Sequence, residues 1–197
     1  VAILLFADPK CVFIRISKTG STSVVRGMFG GTSKATLIST DDSWRKEFDG
    51  LFTFAFVRNP FDRLCSCLRM FKRAPGRDAE DAERRRTLSL DVLMDILEYP
   101  TPAQEQLPLY AKIREHALPM SIPGLHLDRC TFLGRFETYE RDYRQVAKRL
   151  GLTVAAVPHE RRTGSQDYRP LFSPAQRARA ERIYAADLAR FGYRFEA

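Results

Sequence analysis

Long apolar runs are missing from this sequence. No stretch approaches the roughly 20 residues of a membrane-crossing helix. The opening run Val1–Phe6 is too short for a secretory signal and lacks a basic leader, so we expect an edge strand or the remnant of a trimmed longer chain. Cysteine is sparse: Cys11, Cys65, Cys67 and Cys130 show no zinc-finger spacing, and Cys65 and Cys67 are too close for an easy mutual disulfide in a helix. They read as reduced thiols, mostly small core residues, which points to the cytoplasm. Histidine is limited to His116, His126 and His159, with none between Gly30 and Phe52. No convincing His/Cys/Asp cluster forms, so no metal is expected. There is no internal repeat and no low-complexity tract, which excludes a repeat array. No RNP-like or helix-turn-helix motif is present, which argues against a nucleic-acid partner.

What is present suits one domain spanning residues 1–197. Hydrophobic residues make up 44% and charged residues 28%, the balance of a globular chain rather than a disordered one. Lysine and arginine number 32 against 24 acids, a net charge of +8, which favours an anionic partner.

The β-branched and aromatic run Cys11–Ile16 predicts a strand. After a knot of hydroxyls, Val24, Val25, Met28 and Phe29 fall at helical spacing, and Gly30-Gly31 stops that helix. Leu51–Val57 is almost unbroken in its apolarity, as in a strand buried on both faces of a parallel sheet. Pro60 suits the first position of a helix with a stripe of Phe61, Leu64, Leu68 and Phe71. Ala74–Arg86 reads as a surface loop or a frayed exposed helix, and a helix follows from Leu88. A proline-punctuated stretch runs from Pro100 to Pro123, and Cys130–Glu137 predicts a third strand. Tyr139, Tyr143, Val146 and Leu150 mark a helix stopped by Gly151, and Ser173, Pro174 and Gln176 open one that runs to Gly192. Strands alternating with helices predict an α/β fold: a P-loop-like parallel sheet flanked by helices on both faces.

The loop between the first strand and helix, "SKTGSTS", has the makings of a phosphate seat. A helix N-terminus carries about half a positive charge and several outward amides. Gly20 lets the backbone approach an anion, Thr19, Ser21, Thr22 and Ser23 add hydroxyls, and Lys18 adds a full charge. In the ATP-binding Walker loop lysine follows the glycines; here it precedes Gly20 and no upstream glycine exists, so a standard ATPase is not expected. The alternative is a solvated lysine in a Ser/Thr-rich turn.

Arg58 stands where the second buried strand ends, the end at which open α/β sheets bind ligands. Ser66, at about 100° per residue, lies roughly opposite the apolar stripe, facing either solvent or the same crevice as Arg58. An arginine fork with a hydroxyl is suited to a phosphate dianion. Arg58 as a structural partner of Asp62 is the competing reading.

In order and at this spacing, "RISKTGSTS" resembles the 5′-phosphosulfate loop, and "FAFVRNPFDRLCS" the 3′-phosphate element, of sulfotransferases that use 3′-phosphoadenosine-5′-phosphosulfate (PAPS). The similarity is to the carbohydrate branch, sulfotransferase family 2. It continues through "FLGRFETYERDYRQVAKRLGL" and the closing "YRPLFSPAQRARAERIYAADLARFGYRF". Ser17 stands where the family commonly has proline, which loosens the loop's entry but removes no ligand.

The resemblance implies sulfuryl transfer from PAPS to an acceptor hydroxyl, on a carbohydrate, without a metal. Lys18 would meet the charge developing on the bridging oxygen, amides from Thr19 to Thr22 would hold the 5′-phosphate, and Arg15 would support them. Arg58 and Ser66 would hold the 3′-phosphate. The late loop "HERRTGSQDYR" would cover it, with Arg162, Thr163 and Tyr168 as candidates. "REHALPMS" resembles a family segment with a histidine before a proline, which makes His116 the first candidate for general base. Asp41 or Asp42 is the alternative, and Glu137 is a further crevice candidate. Basic residues between Arg69 and Arg86 are candidate acceptor contacts. Two other readings stay open: a degenerate nucleotide-binding module without catalysis, and another P-loop-type phosphotransferase.

Overall fold

Two apolar runs near the start pair as an antiparallel hairpin, β1 (Ala2–Ala7) and β2 (Lys10–Arg15), turning through Asp8 and Pro9. Among the described residues three further strands follow: β3 (Ala35–Ile38), β4 (Phe52–Val57) and β5 (Phe132–Arg135). The α-helices among the described residues are, in chain order, α1 (Ser21–Phe29), α2 (Pro60–Arg73), α3 (Ala79–Thr87), α4 (Leu90–Glu98), α5 (Pro108–Ala117), α6 (Tyr139–Arg149), α7 (Pro174–Ile183) and α8 (Ala185–Phe191). The computed structural model describes residues 2–38, 49–102, 106–157 and 167–195. Among the described residues no helix is long and apolar enough to cross a membrane.

The sheet order is β3-β1-β2-β4-β5. β2, β4 and β5 form a parallel core, with Phe13 opposite Phe54 and Val57 opposite Arg135. The fold is therefore α/β with a parallel centre, to which β1 and β3 add antiparallel pairs. β1 is not an edge: it pairs on both sides, and Ile3 and Phe6 are buried. The edge on that side is β3, where Leu37 is 69% exposed.

The chain divides into two compact units, Val1–Arg58 with Met120–Arg162, and Asn59–Pro119 with Thr163–Ala197. In the first, one sheet face supplies Leu4, Phe6, Phe13, Phe54 and Phe56 to a core completed by Val24, Val25 and Phe29 of α1 and Tyr139, Tyr143 and Val146 of α6. Phe6 stacks on Phe29 at 3.7 Å. The alternate residues Val12, Ile14, Ala55 and Val57 are equally buried, which accounts for the unbroken apolarity of Leu51–Val57. α1 ends as the glycines predict: Gly30 is left-handed, its amide donates to Arg26 O, and that of Gly31 to Val25 O.

In the second unit the core gathers Phe61, Leu64 and Phe71 of α2 with Leu93, Ile113 and Tyr184. α5 forms inside the proline-punctuated stretch, with Pro108 at its start. The Ser173–Gln176 capping box opens α7. The single closing helix expected from the spacing is broken at Tyr184, which is fully buried and donates its hydroxyl to Ala117 O at 2.8 Å. Cys11, Cys65 and Cys67 are buried, Cys130 is half-buried, and none of the four is in a disulfide. Burial pushes the Cys11 thiol up to about 12.

Candidate functional site

Three neighbouring parallel strands end side by side, and each end carries a residue of the site. β2 runs into Ile16–Gly20, β4 into Arg58 and β5 into Phe136, with Arg58 on the middle strand. The loop after β2 is tightly turned. Lys18 has φ +69° and Gly20 has φ +81°, both in the left-handed region. Gly20 is the residue before α1, and its carbonyl accepts the amides of Ser23 and Val24 at 3.0 and 3.2 Å. The first two amides of α1, on Ser21 and Thr22, find no acceptor among the described residues, and no side chain caps the helix. These orphan donors with the helix dipole make an anion seat.

The hydroxyls divide. Thr19 is fully buried and donates to Ile16 O at 2.9 Å, so its proton closes the loop and its remaining donor is the amide. Ser21 and Ser23 are buried, and Thr22 is half-buried. Arg15, half-buried, is the last residue of β2 and lies opposite Ala2.

Arg58 is 8% exposed. Its Nη1 donates to the carbonyl of Lys18 at 3.0 Å. Its guanidinium carbon lies 3.9 Å from the centroid of the Phe136 ring, a cation–π contact. The loop after β2 and the arginine after β4 are therefore in direct contact. From the segment after β5, Tyr139 donates its hydroxyl to Gly20 O at 3.1 Å, and its ring packs 6.0 Å from that of Phe136. Asp142 fixes this segment: Oδ2 accepts Arg135 N–H and the Thr138 hydroxyl, each at 2.8 Å, and Oδ1 accepts Arg141 Nε–H at 2.8 Å. Burial acts to raise the Asp142 pKa, but these donors outweigh it and leave the carboxyl below its ordinary range.

Of the remaining candidates, Glu137 belongs to the first unit, and the others belong to the second unit or lie outside the described residues. Asn59 caps α2, accepting Phe61 N–H at 3.0 Å and donating to Arg194 O at 3.0 Å and Tyr168 Oη at 3.3 Å. Ser66 is 6% exposed, so it does not face bulk solvent. Tyr168 donates to Phe195 O at 2.6 Å, and its ring stacks on Phe61. Burial raises its phenol above the ordinary value. His116 lies in the last turn of α5, half-buried, with its ring 5.5 Å from that of Phe71. Its Nδ1 is 2.9 Å from Lys112 O; a carbonyl only accepts, so Nδ1 carries a proton and Nε2 holds the lone pair of the neutral ring. Arg63, 2% exposed, secures the end of this helix, donating to the carbonyls of His116 at 2.9 Å, Ala117 at 3.1 Å and Leu118. Glu137, exposed, sits in the short turn after β5. Arg162, Thr163, Asp41 and Asp42 lie outside the described residues.

The charge run before Leu88 is largely engaged by its own helix. Arg84 pairs with Glu80, Arg85 with Asp81 at 2.8 Å and Arg86 with Glu83 at 2.6 Å, while Arg69 reaches Asp62 at 3.6 Å. Those arginines carry local carboxylates, as on a solvated helix face.

The model of the sulfotransferase family matches residues 2–194. The chain belongs to the sulfotransferase family. This is the family 2 group that the two motifs resemble. Among solved structures, the crystal structure of a sulfotransferase from Alicyclobacillus acidocaldarius is similar at 19% identity and a TM-score of 0.37, covering 85% of this chain. The match spans 65% of that protein's length. No curated protein matches the chain.

Two residues that the sulfotransferase motifs did not mark are Phe136 and Tyr139. Their signal in the sequence is two aromatics directly after the third strand, in the position equivalent to Lys18 and Arg58 after the other two.

Proposed function

We propose that this member of the sulfotransferase family transfers a sulfuryl group from PAPS to an acceptor hydroxyl on a carbohydrate. The observation that carries the reading is the 3.0 Å bond from Arg58 Nη1 to Lys18 O. It joins the two sequence elements that, in this family, take the two phosphorylated ends of one nucleotide.

The donor set fits such a group. Two orphan helix amides, a left-handed glycine and two cations concentrate positive potential at neighbouring strand ends. Bound there, PAPS supplies an activated sulfuryl group on a phosphate leaving group. The chain's own work is then positioning and charge stabilisation. The amides from Thr19 to Thr22 hold the 5′-phosphate, with Arg15 behind them. The Lys18 ammonium offsets the charge that collects on the oxygen between sulfur and phosphorus. Arg58 holds the 3′-phosphate through charge-assisted bonds. Ser66, Tyr168, Arg162 and Thr163 take the remaining nucleotide roles that the family resemblance gives them. His116 accepts the acceptor's proton at Nε2, its Nδ1 being engaged with Lys112 O. A sugar hydroxyl follows from the branch resembled, and the charge of +8 suits an acidic glycan.

The test is the melting temperature with and without adenosine 3′,5′-bisphosphate. Ligand at about 100 times its Kd stabilises by about 2.7 kcal/mol. A clear upward shift that Arg58→Ala abolishes is expected. A folded sample that does not shift at millimolar nucleotide overturns the proposal.

A further inference from the structure

Lys18 holds a backbone conformation that a residue with a side chain adopts only when its surroundings impose it. The turn is gripped at two carbonyls: Lys18 O by Arg58 Nη1 at 3.0 Å, and Gly20 O by Tyr139 Oη at 3.1 Å. Both grips lead back to one short segment. The Arg58 guanidinium carbon lies over the Phe136 ring at 3.9 Å, and Tyr139 is three residues further on. Asp142 locks that segment by accepting from Arg135 N–H and Thr138 Oγ.

We propose that Phe136 is a positioning residue for Lys18, acting through Arg58. The inference rests on the PAPS reading of this site. A guanidinium is planar, and the face of an aromatic ring fixes both its position and its tilt. With the plane set by Phe136, one N–H of the fork meets Lys18 O and holds the left-handed turn that aims the lysine side chain. Arg58 thus has two tasks: it binds the nucleotide, and it fixes the backbone of the residue that stabilises the leaving group. Phe136 touches neither phosphate nor sulfuryl group in this scheme. Its effect on the reaction therefore passes entirely through Arg58.

The experiment compares the full chain with Phe136→Leu and Phe136→Tyr by three readings. The first is hydrogen exchange across Ile16–Ser23 in the protein alone. The second is sulfate release from saturating PAPS, with water as the acceptor. The third is the Kd for adenosine 3′,5′-bisphosphate. Phe136→Leu is expected to speed exchange in the loop by about 10-fold or more while β4 peptides keep wild-type protection. It should lower turnover at saturating donor by about 10-fold or more, and it should raise Kd as well, because the same guanidinium holds the 3′-phosphate. Phe136→Tyr, which keeps the ring, should return both readings to within about 3-fold of wild type. Wild-type exchange in Phe136→Leu, or a turnover loss that raising the donor concentration restores, overturns the inference. If Phe136→Leu fails to fold, Phe136→Met, of similar volume and without a ring, gives the same readings. A wild-type protein that binds no nucleotide overturns the PAPS reading instead, and the exchange measurement then decides the positioning claim by itself.

Discussion

Tyr139 stands where a side chain on residue 20 would go. A Cβ built on Gly20 would lie 2.6 Å from Tyr139 Cε2, while the Tyr139 hydroxyl donates to Gly20 O. With φ at +81°, the position excludes side chains twice, by conformation and by space. Gly20→Ala should therefore lose about 1–2 kcal/mol for the left-handed backbone alone, more with the displaced ring, read as a lower urea midpoint. The nucleotide-induced melting shift should shrink with it. A variant of wild-type stability and affinity would mean that the loop does not pack on Tyr139.

Lys18→Met tests the charge rather than the fold. The side chain keeps a similar length and loses its ammonium. Turnover at saturating PAPS should fall on the order of 10²-fold or more, the usual consequence of removing one preorganised donor from a developing anion. Calorimetry with adenosine 3′,5′-bisphosphate, which has no sulfuryl group, should show a much smaller change. Equal losses in both would make Lys18 a binding residue only.

His116 is decided by a pH profile. If its Nε2 takes the acceptor's proton, turnover rises with pH as the ring deprotonates. His116→Ala then removes that limb and costs about 10²- to 10⁴-fold. A merely structural ring, held by Lys112 O and Phe71, predicts a change in melting temperature with the pH profile intact.

Asp142 gives a stability prediction with a definite sign. Its side chain is 4% exposed, and its folded pKa is depressed. A depressed carboxylate stabilises the fold fully above its unfolded value of about 3.9, and that contribution is lost as pH falls through the folded value. At pH 7 Asp142→Asn should cost about 1–3 kcal/mol in urea unfolding. The gap between variant and wild type should close as pH falls below about 4. A gap independent of pH would assign the loss to shape rather than charge.

Much of the fold was legible because it rests on local chemistry. The Cys11–Ile16 and Leu51–Val57 runs became β2 and β4, and Gly30-Gly31 and Gly151 end α1 and α6 where expected. β3 was illegible for a physical reason: Thr36 and Leu37 are exposed on an edge, so no burial pattern distinguishes them from loop. α5 was hidden by prolines that in fact start it, and the break at Tyr184 depends on a bond to Ala117, 67 residues away in sequence. At the candidate site, the meeting of the Lys18 loop with Arg58 was readable because each follows an apolar strand of the parallel core. Phe136 was not, because nothing in "GRFET" says that a guanidinium will lie on its ring. The tally of hydroxyls in the loop also overstated its donors, since Thr19 turns its proton inward to Ile16.

The turn after β5 has a consequence for how the protein tolerates change in length. Phe136, Thr138, Tyr139 and Asp142 each meet a different partner within seven residues. Inserting or deleting one residue there would put the ring, the hydroxyls and the carboxylate out of phase together. Spacing is thus as strict a requirement as identity along this turn. Variant libraries aimed at altering the donor should exchange side chains here and leave the residue count untouched.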